Sequence, residues 1–334
     1  MKRGCVVGVG AIGPVHASAL VGMDSLYAVC DNQLDRLSGF YPKNLDLKRY
    51  GSFDEVLNDS EIDVVHICTP HYLHKEMAIS AMEHNKAVVL EKPAAMNAEE
   101  LAELYEAQKQ LSGRVCVVLQ NRTNPGIVEL KKRIASDKKL GKLLEITGIL
   151  TWNRDAEYYR HDAWRGKWKT EGGGLLINQA VHTIDLMCWL GGGITSVRGS
   201  VSNKTLEDVI EVEDTADAIF KTSSGINMCF YATNGCSISR PAQLEVQFEF
   251  GKLRYADNRL YRITDNSCEQ IASDSGDVPG KPCWGGGHKK VITDFYNYLE
   301  SGSGEYISLD DAMPAMKVLY AFYKSARCNK EIQV

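Results

Sequence analysis

Short apolar segments alternate with helix-length segments over the first 120 residues. The segments between the apolar runs have the length of helices, and the runs themselves do not alternate with polar residues. That pattern is typical of parallel strands that are covered on both faces. The apolar runs lie at residues 5–9, 26–30, 64–68, 87–90 and 115–119, and the predicted helices at 14–21, 73–84 and 98–111. The pattern predicts a doubly wound α/β sheet.

The pattern changes near residue 122. A helix is predicted at 127–136, and strand then follows strand up to a final helix at 310–328, with hairpin turns at 222–225 and 256–259. Leu244, Val246, Phe248 and Phe250 alternate with polar residues. This period of two predicts an antiparallel sheet whose second face is open or covered by a partner. We therefore expect two domains, at residues 1–121 and 122–334.

Composition narrows the class of protein. The chain has 334 residues, which suits two domains, and its 44% hydrophobic and 24% charged residues are ordinary for a globular protein. The net charge of −5 and the lack of a long basic run argue against a nucleic-acid partner. No stretch of 18 apolar residues occurs, so no membrane span is expected.

The cysteines and histidines indicate neither a disulfide framework nor a metal site. Ten cysteines occur, mostly inside apolar runs, Cys229 among them, and their spacing fits neither disulfides nor zinc. We expect buried free thiols in a reducing cytoplasm. His66, His71 and His74 have no carboxylate or cysteine set at ligand spacing nearby, so no metal is expected. The basic start of the chain imitates a signal peptide, but glycines interrupt the apolar run that follows.

A glycine pattern follows the first predicted strand directly. Gly8, Gly10 and Gly13 form G-x-G-x-x-G between that strand and a helix. In this context the three glycines permit a tight turn, close approach of a pyrophosphate and close helix–strand packing. The helix N-terminus offers N–H groups to phosphates. The pattern predicts dinucleotide binding.

An acidic residue follows the second predicted strand. Asp31 lies 18 residues past Gly13, where a carboxylate can accept both ribose hydroxyls of NAD and would repel the 2′-phosphate of NADP. We therefore expect NAD, with NADP less favoured. The alternative is a glycine-rich turn with an acid nearby by coincidence.

Polar residues follow two further strands. In open α/β sheets, ligands bind outside the carboxyl ends of the strands. Thr69 and Pro70 follow the third run, and Glu91, Lys92 and Pro93 follow the fourth. Lys92 is therefore expected at the edge where a nicotinamide would lie. The alternative is that these charges and the proline only mark a strand end in solvent.

A second group of polar residues lies on one predicted helix. Asn178, His182 and Asp185 are spaced i, i+4 and i+7, so they share a face, and the opposite positions are apolar. A half-buried helix of this kind carries either a satisfied core hydrogen-bond network or the wall of an active site. His182 could transfer a proton near neutral pH, with Asn178 and Asp185 orienting it or holding substrate.

The segment before this helix is rich in aromatic residues and arginines. Arg154, Tyr158, Trp164 and Arg165 fall within twelve residues. Aromatic rings suit sugar rings, and guanidinium groups suit anionic groups. The alternative is a packed surface loop.

Together these motifs resemble the glucose–fructose oxidoreductase/inositol dehydrogenase (Gfo/Idh/MocA) family over nearly the whole chain. The resemblance rests on residues 8–13, on "ICTPHYLH" at 67–74, on Glu91-Lys92-Pro93 and on "GGG…NQAVHTIDL" at 172–186. It implies an N-terminal Rossmann domain and a C-terminal α+β domain that binds substrate. The C-terminal domain would contain a large open, mainly antiparallel sheet, and this sheet would make the interface of a homodimer or homotetramer. It also implies a cis bond before Pro93.

The resemblance also implies roles for residues. Lys92 would hydrogen-bond the reacting oxygen, and His182 would act as general acid/base. From the residue types themselves, we expect the substrate to contact Asn178, Arg154, Tyr158, Trp164, Arg165 and Asp185. The cofactor would contact Gly8, Gly10, Ala11, Ile12, Gly13, Asp31, Thr69, Pro70, His74, Glu91, Lys92 and Arg122.

One position departs from the family pattern. Many members carry Asp four residues before the histidine, where this chain has Asn178. Since an amide cannot exchange the proton, Lys92 and His182 would have to handle it. The Asn-Gln form with "WRGxW" upstream resembles a subgroup that acts on sugar nucleotides or uronic acids, such as UDP-N-acetylglucosaminuronate 3-dehydrogenases.

Three functions follow as hypotheses. The first is hydride transfer between nicotinamide and a secondary alcohol of a sugar, cyclitol or sugar nucleotide. The second is an NAD-dependent glycosidase that uses transient oxidation and elimination. The third is a non-catalytic NAD-binding sensor or regulator, which would need neither Lys92 nor His182.

Overall fold

The structure, a computed structural model, describes residues 1–40, 46–274 and 286–334. The chain divides into two compact units. The first contains Met1–Leu119 and His288–Ala312, and the second contains Gln120–Gly287 and Met313–Val334. The sequence had placed 288–312 in the second domain, whereas these residues group with the first unit. The reason is apolar packing, because Val291, Ile292, Phe295 and Tyr296 are buried in the core that holds Val6 and Val29.

The first unit is built on a six-stranded parallel sheet in the order β3-β2-β1-β4-β5-β6. The strands are β1 (Gly4–Val7), β2 (Leu26–Cys30), β3 (Lys48–Tyr50), β4 (Val64–Ile67), β5 (Ala87–Leu90) and β6 (Val115–Val117). The helices are α1 (Gly13–Val21), α2 (Leu34–Gly39), α3 (Phe53–Asn58), α4 (His74–Glu83), α5 (Ala98–Gln110) and α10 (His288–Ser301). This strand order is that of the doubly wound dinucleotide-binding fold.

In the first unit, the apolar runs of the sequence correctly predicted the strands that are buried on both faces. All five apolar runs are strands, although β1, β4 and β6 end one or two residues earlier than expected. Asn97 caps α5, as predicted, because its side chain accepts the Glu100 N–H. The edge strand β3 was missed, since its residues Lys48 and Arg49 are exposed and carry no apolar signal.

The second unit is built on a nine-stranded, mostly antiparallel sheet in the order β14-β13-β12-β11-β7-β10-β9-β8-β15. Within this second sheet, as far as the structure describes it, β7 and β10 are the only neighbouring strands that run parallel. The strands are β7 (Leu143–Thr151), β8 (Ile194–Ser202), β9 (Thr215–Thr222), β10 (Asn227–Thr233), β11 (Gln243–Phe248), β12 (Gly251–Ala256), β13 (Arg259–Thr264), β14 (Ser267–Ser273) and β15 (Ile332–Gln333). The two predicted hairpin turns are confirmed, because they join β9 to β10 and β12 to β13.

The helices of this unit are α6 (Pro125–Ser136), α7 (Ala156–His161), α8 (Trp168–Glu171), α9 (Val181–Gly191) and the larger part of α11 (Leu309–Cys328), with a π-helical turn at Leu176–Ala180. The helix that was expected to be half buried is buried almost all round, and only Trp189 in α9 is partly accessible. It lies against β7, where Gly148 leaves room for Thr183 and Met187.

Two smaller expectations were wrong. Leu244, Val246 and Phe248 are buried as predicted, but Phe250 is 67% exposed, because β11 ends at Phe248 and Phe250 lies in the turn. Cys5, Cys30, Cys68, Cys116 and Cys188 are buried free thiols, but Cys229 is exposed on the outer face of β10. The tenth cysteine, Cys283, lies outside the described residues.

Neither a membrane-spanning helix nor a metal-binding cluster occurs among the described residues. No helix in the described ranges combines the length and hydrophobicity that a membrane crossing needs. Within those same ranges, no group of three or more His, Cys, Asp or Glu side chains could hold a metal ion.

Candidate functional site

The glycine loop between β1 and α1 has one accessible part and two packed ends. Gly8 has φ +91°, and a Cβ there would lie 2.6 Å from the Cys68 carbonyl oxygen; a Cβ at Gly13 would lie 2.3 Å from the Gly8 carbonyl oxygen. At Gly10 the nearest atom is Arg36 Nη1, at 3.6 Å from such a Cβ. Gly8 and Gly13 are therefore required by packing, whereas Gly10 faces space that a ligand could enter. Ala11 and Ile12 are also accessible.

Asp31 holds this loop in place at the end of β2. Its Oδ2 accepts the Val9 N–H at 3.0 Å, and its Oδ1 accepts the Gln33 N–H at 2.9 Å. The carboxylate is thereby fixed beside the glycine loop. Each oxygen keeps further acceptor capacity, so both can still receive ribose hydroxyls.

His74 links the loops that follow β4 and β5. Its Nδ1 lies 2.7 Å from the Pro93 carbonyl oxygen and its Nε2 lies 2.9 Å from the Thr69 carbonyl oxygen. Burial is the largest influence and lowers the pKa of His74, although the two carbonyl contacts favour the protonated ring. Thr69 and Pro70 are thus held against Pro93, and the Lys92–Pro93 peptide is cis, as the resemblance implied.

Glu91 lies at the end of β5 and is buried. His16 Nε2 lies 3.0 Å from its Oε1, and the Lys92 N–H donates to its Oε2 at 3.2 Å. Burial by itself would raise the pKa of Glu91, but the hydrogen bond and charge of His16, with His288 and Lys92, lower the pKa to about 2. Glu91 is therefore an anion that holds the backbone amide of the proposed catalytic lysine.

A buried chain of hydrogen-bonding side chains extends from Glu91 into the core, and no sequence motif predicted it. His66 Nδ1 lies 3.0 Å from His16 Nδ1, and His66 Nε2 lies 3.0 Å from the Tyr296 hydroxyl. Burial keeps the pKa of His66 well below its usual value. Tyr296, His66, His16 and Glu91 therefore form one continuous buried chain of hydrogen-bonding side chains. The one feature of the sequence that could have pointed to this chain is the position of His16 in the first turn of α1.

In the second unit, a π-helical turn carries Asn178. Asn178 Nδ2 donates to Glu171 Oε1 at 2.6 Å, and the Gly166 N–H donates to Glu171 Oε2 at 2.5 Å. Glu171 is fully buried. Wide turns of this kind occur often at functional sites, since they place a side chain where a regular helix would not. Glu171 was missed, because one glutamate before a glycine run carries no distinctive pattern.

His182 and Asp185 follow on α9, and both are buried. Gln120 Nε2 lies 3.5 Å from His182 Nε2. Arg122 binds Asp185 through two bonds, with Nε 2.8 Å from Oδ2 and Nη2 2.5 Å from Oδ1. The sequence assigned Arg122 to the cofactor and Asp185 to the substrate, and the structure joins them as a buried ion pair.

The aromatic and arginine side chains before α8 form a stack. The order is Trp152, Arg154, Tyr158, Arg165 and Trp164, with each guanidinium carbon between 4.4 and 4.8 Å from the centre of the neighbouring ring. Such cation–π contacts hold guanidinium groups against ring faces. All four residues predicted here are therefore together, and Trp152 is an addition.

This stack is joined to the π-helical turn. Gln179 Nε2 donates to the Tyr158 hydroxyl at 3.3 Å, and Asn234 Nδ2 donates to Gln179 Oε1 at 3.2 Å. Neighbouring residues 178 and 179 thus contact Glu171 and Tyr158 respectively. The second unit therefore gathers guanidinium, amide and imidazole groups, which is chemistry suited to a hydroxyl-rich or anionic ligand.

The chain belongs to the GFO/IDH/MocA family of oxidoreductases. A model described as the oxidoreductase family with NAD-binding Rossmann fold matches residues 2–119, and the GFO/IDH/MocA C-terminal domain matches residues 127–254. The first unit is therefore the NAD-binding part of the chain, and the glycine loop and Asp31 lie where that fold binds its cofactor.

Similar proteins include two named dehydrogenases. Levoglucosan dehydrogenase of Pseudarthrobacter phenanthrenivorans is 32% identical over 147 residues, which are 44% of this chain and 37% of that protein. Inositol 2-dehydrogenase of Salmonella typhimurium is 26% identical over 256 residues, which are 75% of this chain and 72% of that protein. The alignment thus spans well under half the length of the first of these relatives.

Among solved structures, the WlbA dehydrogenase from Bordetella pertussis, in complex with NADH and UDP-GlcNAcA, is similar over the full chain. Its sequence is 26% identical, its TM-score is 0.86, and the match covers 100% of this chain and 98% of that one.

Proposed function

We propose that this protein is an NAD-dependent dehydrogenase or reductase that transfers a hydride between nicotinamide and a secondary alcohol of a sugar, cyclitol or sugar nucleotide. The observation that carries the proposal is the glycine loop with Asp31 in a NAD-binding Rossmann fold. The relatives named above act on, or bind, molecules of this chemical class. When bound, NAD supplies the hydride acceptor.

The residues of the first unit would hold the cofactor. The accessible loop Gly10–Ile12 would approach the pyrophosphate, and Asp31 would accept ribose hydroxyls. Because a carboxylate repels a 2′-phosphate, NAD should be preferred over NADP. Thr69, Pro70, His74 and Glu91 would support the far end of the cofactor through the loops that His74 joins.

Lys92 and His182 would manage the reacting oxygen. The ammonium of Lys92 would polarise the oxygen, and His182 would take its proton during oxidation or return it during reduction. Anionic Glu91 supports this role for Lys92, because it fixes the lysine backbone by a hydrogen bond. On the substrate side, Asn178 and the stack of Arg154, Tyr158, Arg165 and Trp164 would bind sugar hydroxyls and any anionic group, while Asp185 and Arg122 would act as a pair.

The test is an assay of NADH absorbance with a panel of sugars, cyclitols and sugar nucleotides. Lys92→Ala and His182→Ala should each lower kcat by about 10²- to 10⁴-fold, yet keep NAD binding measured by fluorescence titration. Lys132→Ala and His161→Ala are matched controls, because those side chains are 71% and 77% exposed. Near-normal turnover in either test variant would show that its assigned role is wrong.

The same assay separates the alternatives. Release of a sugar from a glycoside without net NADH would favour the glycosidase that oxidises its substrate only transiently. A protein that binds NAD but turns over no member of the panel would favour the sensor or regulator.

We also propose that the protein assembles as a homodimer or homotetramer through the sheet of the second unit. The outer faces of β9 and β10 carry Ile219 and Tyr231, which are 57% and 43% exposed, and Ile219 lies opposite Cys229 across the strand pair. These exposed apolar side chains, which lie among Asp217, Lys221 and Asn227 on the same face, favour a surface that a second copy of the chain covers. Sedimentation equilibrium should give a dimer or tetramer, and Ile219→Lys should shift it toward the monomer. A wild-type monomer would contradict the proposal.

We place the protein in the cytoplasm on the basis of its thiols. Cys5, Cys30, Cys68, Cys116 and Cys188 are buried and reduced, and burial raises the pKa of each, to about 12 for Cys30. Recovery of the protein outside the cytoplasmic fraction of its cell would overturn this placement.

A further inference from the structure

The pair formed by Glu171 and Asn178 raises a question that the proposed function leaves open. Both side chains are buried in the second unit, and Asn178 occupies the position where the family resemblance implies an aspartate. Glu171 Oε1 receives the Asn178 amide N–H at 2.6 Å, and Glu171 Oε2 receives the Gly166 N–H at 2.5 Å. A carboxylate is therefore present in this part of the site, but on a different residue.

The chemistry of the pair fixes the orientation of the amide. An ionised carboxylate can only accept hydrogen bonds, so Asn178 must turn its NH₂ group toward Glu171. Its Oδ1 then lies on the side away from Glu171. We propose that Glu171 is a positioning residue that requires an amide at position 178 and turns its Oδ1, an acceptor, toward a substrate hydroxyl. This inference rests on the proposed function.

The surroundings of Glu171 support its ionised form. Arg165 lies near it: burial by itself would lower the pKa of Arg165, but its interactions with Tyr158, Glu171 and Asp162 raise that pKa overall. A cation held in the aromatic stack, itself paired with Asp162, thus lies near enough to favour the buried anion. The Gly166 N–H supplies a further donor, so the carboxylate is solvated by the protein rather than by water.

The same geometry excludes a second carboxylate. An aspartate at 178 would bring two carboxyl oxygens to about the 2.6 Å separation of the present pair, and like charges that close cannot both ionise in a buried site. Asn178 is therefore a consequence of Glu171, and the departure from the family pattern has a local electrostatic cause.

The first experiment rotates the side-chain amide of Asn178 by half a turn while keeping its hydrogen bond to residue 171. In Glu171→Gln, the glutamine oxygen accepts the Gly166 N–H, and its NH₂ faces Asn178, whose amide must rotate and present a donor instead. We expect a normal melting temperature and a fall in kcat/KM of about 10- to 100-fold on the substrate identified by the panel. Glu157→Gln, an exposed glutamate on α7, is the matched control.

The double variant tests rescue. In Glu171→Gln with Asn178→Asp, the glutamine NH₂ donates to Asp at 178, whose other oxygen is again an acceptor on the substrate side. We expect kcat/KM to recover most of the loss seen in Glu171→Gln. Wild-type kcat/KM in Glu171→Gln, or no recovery in the double variant, would overturn the positioning role.

A second experiment needs no substrate. Asn178→Asp alone should lower the melting temperature by about 5 °C or more at pH 8. Its carboxyl would have a pKa raised by Glu171, so the penalty is small near pH 5 and grows as the pH rises through that pKa. In the double variant this growth with pH should vanish.

The two experiments fail in different ways. A melting temperature of Asn178→Asp that equals wild type, or a penalty that is the same at pH 5 and pH 8, would overturn the electrostatic pairing. If the melting data hold but no carbohydrate is turned over, the proposed function fails while the Glu171–Asn178 pairing stands.

Discussion

Each unit contains a buried glutamate beside its candidate site residues, and the pKa values of the two carboxyl groups move in opposite directions. Glu91 in the first unit has its pKa lowered to about 2, whereas Glu213 in the second unit has its pKa raised to about 7. Both are nearly inaccessible, at 5% and 2% exposure. Burial alone would raise both values, so the partners make the difference.

The partners of Glu213 are hydrogen-bond donors without a charge. Its Oε1 accepts the Leu176 N–H at 2.9 Å and the Tyr323 hydroxyl at 2.8 Å, and both oxygens lie 3.1 Å from the Gly174 nitrogen. These bonds lower the pKa, but burial outweighs them. Glu213 ties the start of the π-helical turn to α11 at the cost of holding a carboxyl that resists ionisation.

The partners of Glu91 include groups that can carry a positive charge. His16 lies 3.0 Å from its Oε1, and His288 and Lys92 add favourable interactions. The comparison teaches that neutral donors satisfy a buried carboxyl, whereas a nearby cationic or protonatable group is needed to keep it ionised. The first unit therefore has a permanent anion behind Lys92, and the second has a carboxyl that titrates near neutral pH.

The largest expected effect on the free energy of unfolding comes from removing His16, the histidine that contacts Glu91. His16→Phe should lower the free energy of unfolding by about 3–5 kcal/mol at pH 7, because it removes the main partner of a buried carboxylate. The stabilisation from Glu91 is present above its unfolded pKa of about 4.5 and is lost as the pH falls toward 2, so the difference from wild type should narrow below pH 4.

Urea unfolding at pH 7 and pH 3 measures this difference. The control is His161→Phe, an exposed position in α7. A loss for His16→Phe that is below 1 kcal/mol, or that does not change with pH, would mean that His16 is not what keeps Glu91 ionised.

Glu213→Gln should have a smaller effect on the free energy of unfolding than His16→Phe, and it should stabilise the protein rather than destabilise it. The pKa of Glu213 is about 7 in the folded protein and 4.5 in the unfolded chain. Its contribution to the free energy of unfolding is therefore complete below pH 4.5 and is lost as the pH rises through 7. Glu213→Gln keeps an oxygen for the same donors and cannot ionise. It should match wild type near pH 5 and exceed it by up to about 3 kcal/mol above pH 8, at 1.36 kcal/mol per pKa unit.

Urea unfolding of Glu213→Gln from pH 5 to pH 9 tests this, and Glu91→Gln serves as the comparison. Glu91→Gln should instead lose stability at neutral pH, since it removes a favourable charge. If both glutamine variants changed the free energy of unfolding in the same direction at pH 8, the contrast between the two glutamates would be refuted.

The sequence predicted the elements whose physical cause is local. Buried parallel strands are uniformly apolar, so all five runs of the first unit were found, and the edge strand β3 was not. The glycine loop, Asp31 and the strand-end residues 69–70 and 91–93 were found for the same reason, since fold topology puts strand ends at one edge. The cap at Asn97 needed only four consecutive residues.

Partners far apart in sequence could not be predicted. Glu91 and His16 are separated by 75 residues, and His66 and Tyr296 by 230. Arg122 and Asp185 each looked like a ligand contact, and only the structure shows that they bind each other. No single-residue pattern distinguishes an arginine that contacts ligand from one that pairs with a distant aspartate.

The sequence by itself therefore determined the two-part α/β and α+β architecture, the glycine loop and the residue types at the strand ends, because periodicity and short motifs are properties of neighbouring residues. Tertiary structure alone decided which carboxyl groups are ionised and which way Asn178 faces. Those properties depend on burial and on charges brought together across the fold, as Glu91, Glu171 and Glu213 show.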